Sequence, residues 1–294
     1  MIFSLPESRI VPHFSLAAVS SMKTGGNAAF AFFPESAQEL ALAFEDAKKT
    51  GLRTVTAGGT SNLLFPDKAD DLCVIFTQKM TSPLLFDGET AHCACGVMLP
   101  KLSAEAARRG LSGLEFACGI PGTVGGALYM NAGAYGGEMA QAVRSVTVYS
   151  RKTGGFFELS REQCAFSYRH SIFSEKRELI VTDAVFSLQK GDPNEIAARC
   201  AELKKQRREK QPLEYPSCGS AFKRPEGHFA GKLIEDCGLK GFAVGGACIS
   251  EKHAGFIINR SGATSDDVRK LIETVQTVVY EKTGVRLEPE IEIL

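Results

Sequence analysis

The residues of this 294-residue chain best suited to holding a phosphate lie in two separated glycine-rich stretches. The first, Gly58-Gly59-Thr60-Ser61-Asn62, offers backbone amides, two hydroxyls and a side-chain amide, a combination able to form a nest for a pyrophosphate. Taken alone it suits a plain strand-to-loop turn equally well. The second, GIPGTVGGALYMNAGAYGG over residues 119–137, carries seven glycines. A helix interior penalises each glycine by about 1 kcal/mol, so this density reads as backbone that bends sharply and comes close to a ligand. Ile120, Val124, Leu128 and Met130 interleave with the glycines and suggest a flat, apolar ligand lying against the loop. Neither stretch is G-x-G-x-x-G in a βαβ unit, and no G-K-[S/T] follows.

Acid–base and charge-stabilising groups are less distinctive by type. Arg169, in Ser167-Tyr168-Arg169-His170-Ser171, reads by itself as a surface ion-pair residue. Ser220, in Cys218-Gly219-Ser220, reads as a turn serine. Near the C-terminus, strand alternation points Val285, Leu287, Ile291 and Ile293 one way and Glu288, Glu290 and Glu292 the other. The alternation does not select one of the three carboxylates. Pro289 cannot donate to a ladder, which makes this an edge strand or the lip of a cleft. The run from Lys204 to Lys210 reads as a solvated helix face.

The elements that must position these groups follow from pattern. A helix is expected over 36–50, with Ser36 as cap, Glu39 completing a capping box, Leu40, Phe44 and Ala47 facing inward and Gly51 as stop. A strand over 53–57 runs into the first glycine stretch, and a helix over 100–109 ends at Gly110. Strands at 143–150 and 179–188 and a charged helix at 194–210 come next. Residues 215–259 read as loop-rich with a short helix at 229–237. An amphipathic helix starts at Ser265, with Val268, Leu271, Ile272, Val275, Val278 and Val279 on one stripe.

Composition excludes several classes. Apolar residues make up 44% and charged residues 23%, as in an ordinary globular protein. Acidic and basic residues balance at 34 each, so no global field attracts nucleic acid or an anionic membrane. No apolar run approaches the roughly 18 residues of a spanning helix. The start, MIFSLPESRIVPHFSL, lacks the basic and apolar regions of a signal peptide. Nine cysteines are an odd number at scattered spacing, and neither Cys93 and Cys95 nor the five histidines complete a metal set. The expectation is no metal, reduced and mostly buried thiols, and a cytoplasmic protein. Cys218 is the thiol singled out for reactivity.

Five motifs in order, GIPGTVGGALYMNAGAYG, SYRHSIF, CGSAFKRP, KHAGFIIN and LEPEIEI, resemble the UDP-N-acetylenolpyruvoylglucosamine reductase family from about residue 24 to the end. The resemblance implies an α+β protein. It would have the two-lobed FAD-binding fold of the vanillyl-alcohol oxidase type and an additional α/β substrate-binding domain. The implied division is 1–80 and 81–195 for the FAD-binding lobes, 196–284 for the substrate domain and 285–294 for a strand that carries a catalytic glutamate. It implies non-covalent FAD held by Gly58, Gly59, Thr60, Ser61 and Asn62, and by Gly119, Pro121, Gly122, Thr123, Gly125, Gly126, Ala127, Asn131 and Gly133. It implies catalytic roles for Arg169, Ser220 and Glu290, and substrate contacts at Tyr135, Tyr168, Lys210, Arg224 and His253. NADPH would be the co-substrate, a UDP-sugar enolpyruvyl ether the substrate, and the protein a monomer without nucleic-acid or membrane partners.

Two departures from the family pattern stand out. The first flavin loop is usually G-x-G-S-N, and Thr60 stands at its second glycine; a β-branched residue resists positive φ, so the loop is expected to shift or to use a permitted φ there. Only nine residues separate Arg169 from the strand at Leu179, which resembles the family's short form; closure over substrate would then come from elsewhere, such as 215–229. Two other readings stay open at this point: another FAD-dependent oxidoreductase of the same fold, and a nucleotide-sugar-binding protein without redox chemistry.

Overall fold

The computed structural model describes residues 2–294, and its first long helix, Ala37–Thr50, starts and stops where the sequence places it. The Ser36 hydroxyl accepts from the Glu39 amide at 3.1 Å, and Gly51 ends the helix at φ 71°. The Glu39 carboxylate differs from expectation: it accepts from the Glu35 amide at 2.8 Å, one residue before the cap. It also sits 3.4 Å from Arg9, an ion pair that draws it outward. Leu40, Ala43, Phe44 and Ala47 are buried.

The chain folds as two units. Unit one takes the segments up to Pro12, Phe30–Gly59 and Leu72–Arg207; unit two takes His13–Ala29, Thr60–Asp71 and Arg208–Leu294. The contiguous four-part division expected from sequence differs from this in that two early segments join the C-terminal part. Hydrogen bonds explain the difference: Asn259 Nδ2 donates to the Met22 carbonyl at 3.0 Å, and Asp67 accepts from the Ser265 and Asp266 amides at 2.9 Å each.

A four-stranded sheet runs in the order Ile10–Ser15, Asn27–Phe32, Leu72–Phe76, Arg53–Ala57. Leu72–Phe76 is parallel to both Asn27–Phe32 and Arg53–Ala57, and all five of its residues are buried, which is why it reads as an unbroken apolar run. An antiparallel five-stranded sheet follows the order Phe156–Ser160, Val143–Ser150, Leu179–Ser187, Thr90–Ala94, Leu84–Asp87. One apolar core joins the helix face Leu40–Phe44–Ala47 to Ile75, Val146, Val148 and Phe186.

In unit two, the stretch expected to be loop-rich contains a four-stranded antiparallel sheet. Its order is Ser217–Ser220, Phe256–Asn259, Ala247–Ile249, Ala243–Val244. Strands this short carry too little alternation to be read from sequence. The helix Ser265–Thr283 packs on this sheet through Val268, Leu271, Ile272, Val275 and Val279. Thr264 and Asp267 form its capping box, and Gly284 closes it at φ 73°. Asp67 adds a carboxylate at the same N-terminus, where the peptide dipoles favour negative charge. At the C-terminus only Glu292–Ile293 forms a strand, parallel to Leu63–Leu64. Leu287 and Ile291 are buried as expected, whereas Ile293 is exposed, because the ladder ends there. No helix among the described residues is long and apolar enough to cross a membrane.

Candidate active site

The strand Arg53–Ala57 delivers Gly58 and Gly59 against the second glycine stretch, and the contact is backbone to backbone. A Cβ on Gly59 would lie 2.7 Å from Gly122 Cα, and one on Gly58 would collide with the Thr123 hydroxyl. Glycine is therefore what lets the two loops touch. Among the described residues, the amides of Gly59, Gly122 and Thr123 have no hydrogen-bond acceptor, although Gly122 and Thr123 are buried. Buried N–H groups are nearly always paired, so these donors fit an oxygen-rich ligand. They suit the pyrophosphate of the dinucleotide cofactor expected from sequence.

Thr60 does not take a permitted φ. It adopts φ 55° while 4% exposed, and its hydroxyl donates to the Val19 carbonyl at 2.8 Å. The expectation that Thr60 avoids a positive φ is corrected: the residue takes the left-handed conformation, and the buried hydrogen bond offsets part of its cost.

The second stretch is not loop throughout. Val124–Tyr129 forms a short helix, capped by Thr123, whose hydroxyl accepts from Gly126 at 3.4 Å. A Cβ at its Gly125 would press on Cys95 at 3.0 Å, and the Val124 and Gly125 amides bond to the Val97 and Cys95 carbonyls. Val124 and Leu128 are fully buried in the core of unit one, and Ile120 packs on it. These apolar residues anchor the loop from behind, which corrects the reading of all of them as a ligand-facing surface.

Arg169 sits on a tight turn built by the same stretch. Ser167 and His170 exchange backbone bonds at 3.1 Å, and Arg169 has φ 54°. Asn131, itself at φ 43° and fully buried, donates from Nδ2 to the Ser167 carbonyl and accepts at Oδ1 from the Ala140 amide, both at 2.9 Å. The Ser171 hydroxyl donates to the Tyr129 carbonyl at 2.7 Å, and Arg169 Nη2 donates to the Gly133 carbonyl at 3.1 Å. Asn131 thus has both ends of its side chain committed, and it positions the arginine. Tyr168 lies under the guanidinium, 5.1 Å from ring centre to Cζ. Tyr135 stands with Gly136 at the tip of a two-residue hairpin, both at positive φ, the geometry that matches strand twist.

In unit two, Ser217 pairs with Ile258 but Ser220 with Phe256, so one extra residue bulges out at Gly219, which has φ 75°. Such bulges re-aim the next side chain, here Ser220. The Glu290 amide donates to the Ala221 carbonyl at 2.9 Å, and Pro289 bridges Phe222, so Ser220 and Glu290 lie on adjoining segments. Cys218 is inert: it is buried, its sulfur contacts the Leu63 carbonyl at 3.3 Å, and burial pushes its thiol up to about 12. All nine cysteines are buried free thiols. His253 accepts the Gly255 amide at Nδ1 (3.0 Å), which leaves the proton of the neutral ring on Nε2, and burial lowers its pKa. Arg224 is exposed and stacks 4.6 Å from the Phe229 ring, and Lys210 is exposed at the end of the helix Pro193–Lys210.

One residue read as solvated is not. Arg207 is half-buried beside Gly119, one turn beyond Leu203 on the stripe Ile196, Cys200, Leu203. That periodicity was the available signal, masked by the charges around it.

Comparison with known proteins matches two separate stretches of the chain. A family model described as "FAD binding domain" matches residues 28–160, and one described as "UDP-N-acetylenolpyruvoylglucosamine reductase, C-terminal domain" matches 211–294. The UDP-N-acetylenolpyruvoylglucosamine reductase of Caldicellulosiruptor bescii is 47% identical over 281 residues, covering 95% of this chain and 88% of the relative. That of Limosilactobacillus fermentum is 44% identical, covering 100% and 97%. The crystal structure of the enzyme from Thermus caldophilus aligns with TM-score 0.81 at 36% identity, covering 97% of each chain. The expected α+β fold, with its FAD-binding part of the vanillyl-alcohol oxidase type, is borne out by these matches.

Proposed function

The chain belongs to the UDP-N-acetylenolpyruvoylglucosamine reductase family, and from that premise we propose that it reduces UDP-N-acetylglucosamine enolpyruvate to UDP-N-acetylmuramate, with NADPH as electron source, in cytoplasmic synthesis of peptidoglycan precursors. As a member it is an FAD-dependent oxidoreductase, and the unpaired amides of its two glycine loops would hold the cofactor's pyrophosphate. FAD held there would supply the hydride chemistry that links NADPH to the terminal vinyl carbon of the enolpyruvyl group.

The electron pair displaced from the vinyl bond collects as an enolate on the adjoining carboxylate. Arg169 meets that charge with a guanidinium already oriented by Asn131, Gly133 and Tyr168, so its stabilisation is larger in the transition state than in the ground state. One such preorganised donor contributes about 3 kcal/mol. Ser220 then gives its hydroxyl proton to the carbon beside the carboxylate, which completes the saturated lactyl ether. A serine hydroxyl is a weak acid, so Glu290 or Lys210 has to return a proton to it within the same turnover.

The observation that supports this reading most is the backbone bond from the Glu290 amide to the Ala221 carbonyl, which joins the segment of Glu290 to the residue next to the bulged Ser220. Stopped-flow reoxidation of the reduced flavin by the enolpyruvyl substrate tests it. In Ser220→Ala, hydride transfer should survive while turnover collapses; equal turnover in wild type and variant removes Ser220 from the reaction.

A further inference from the structure

The helix Pro193–Lys210 buries Ile196, Cys200 and Leu203 against Cys118, at the start of the second glycine stretch. Arg207 continues that stripe. Its side chain lies across Gly119, where an added Cβ would be 2.5 Å from Arg207 Cδ and 3.1 Å from Nε. Glycine at 119 is thus explained by the arginine passing over it, not by a turn.

Among the described residues, the charge at the end of that side chain has no partner. Arg108, Arg109 and Arg199 each reach a glutamate, whereas among the described residues the Arg207 guanidinium has neither an ion pair nor a hydrogen-bond acceptor. Burial lowers its pKa, opposed by the nearby Tyr135 and Cys118, neither of which is a carboxylate. A guanidinium carries five N–H donors, and withdrawing it from water without an anion is costly. Three residues beyond Gly119, the buried amides of Gly122 and Thr123 also lack acceptors. Two independent sets of donors, one from the loop and one from the helix that crosses it, call for one kind of ligand, an oxygen-rich anion.

We infer that Arg207 is a phosphate-binding residue, whose guanidinium takes an oxygen of a diphosphate held at the second glycine loop. FAD and a UDP-sugar each carry a diphosphate; the unpaired amides of Gly122 and Thr123 favour the flavin dinucleotide. The inference rests on the reading of these loops as the flavin cradle.

Purified holoenzyme, as wild type, Arg207→Gln and Arg207→Lys, separates the possibilities. Serial dilution with recovery of free FAD fluorescence gives the flavin dissociation constant. Flavin difference spectra on titration with UDP-N-acetylglucosamine report the substrate-side diphosphate. Loss of a charge-assisted bond should weaken flavin retention by about ten- to a hundred-fold in Arg207→Gln. Arg207→Lys should fall between, because it keeps the charge and the stem without the planar fork. The sugar-nucleotide titration should be unchanged. Lysine also keeps the comparison readable where glutamine disturbs packing on Gly119. Weakened sugar-nucleotide binding with unchanged flavin retention would overturn the flavin assignment and place the bound phosphate on the substrate. Wild-type affinities for both in both variants would overturn the inference. A wild-type protein that retains no FAD is a separate result, and it sinks the cradle reading itself.

Discussion

Asn62 and Glu290 are joined side chain to backbone: Asn62 Nδ2 donates to the Glu290 carbonyl at 2.8 Å, and the Glu292 amide donates back to the Asn62 carbonyl at 2.9 Å. The last residue of the first glycine stretch therefore holds the segment that carries the expected catalytic carboxylate. Asn62→Ala should cost about 1 kcal/mol of stability. It should also speed amide hydrogen exchange at residues 290–294. Unchanged protection there would show that the strand pairing alone holds Glu290.

Gly59→Ala tests the contact between the two loops. The new methyl group would meet Gly122 Cα at 2.7 Å, backbone that cannot rotate away. The variant should fold, since Gly59 lies outside the core, but purify with little flavin, read as the ratio of flavin to protein absorbance. A variant as yellow as wild type would mean the loops can separate without loss of the cofactor.

Thr60 sets two effects against each other. Glycine would relieve a left-handed residue's strain of order 1–2 kcal/mol and lose a hydrogen bond worth about 1 kcal/mol, so Thr60→Gly should unfold near wild type in urea. Thr60→Val keeps the strain and leaves the Val19 carbonyl unpaired, and should lose about 1–3 kcal/mol. Valine more stable than glycine would refute this account.

Asp46 is fully buried, yet its pKa lies below its ordinary 3.8. Burial raises it, and the Lys49 ammonium at 2.6 Å with the Leu5 and Ser4 amides outweighs that. A carboxylate depressed in the folded state contributes stability above its unfolded pKa and loses it as pH falls through the folded value. Asp46→Asn should cost about 2 kcal/mol at neutral pH and flatten the decline in stability below about pH 4. Parallel acid-unfolding curves for the two proteins would exclude Asp46 as a source of that decline.

How much of this was legible in the residues depended on range. Helix ends written in neighbouring positions were readable: Ser36 and Gly51, the start at Ser265, and with it the stripe from Val268 to Val279. The family resemblance was readable too, because five motifs stand in order along one chain, whereas Arg169, Ser220 and Glu290 are not distinctive by type alone. Glycine density hid the short helix Val124–Tyr129, since propensity is a weak prior where Val124 and Leu128 can bury fully. Thr60 at positive φ went against a strong local preference that a remote acceptor, the Val19 carbonyl, overrides. The four short strands between 217 and 259 are fixed by partners, not by their own pattern. Arg207 was concealed by its neighbours' charges.

The sharing of early and late segments has a consequence for how the protein can be made. Met22 and Leu64 are buried with the helix that begins at Ser265, Leu63–Leu64 is the partner of the final strand, and Asp67 caps that helix. On the ribosome, these early pieces emerge about two hundred residues before those they pair with and must wait, unsatisfied, until the segment from Ser265 to Ile293 has been made. The C-terminal module expressed on its own would equally arrive without its cap, its strand partner and part of its apolar filling, so it should behave as an incomplete half, not as an autonomous folding unit.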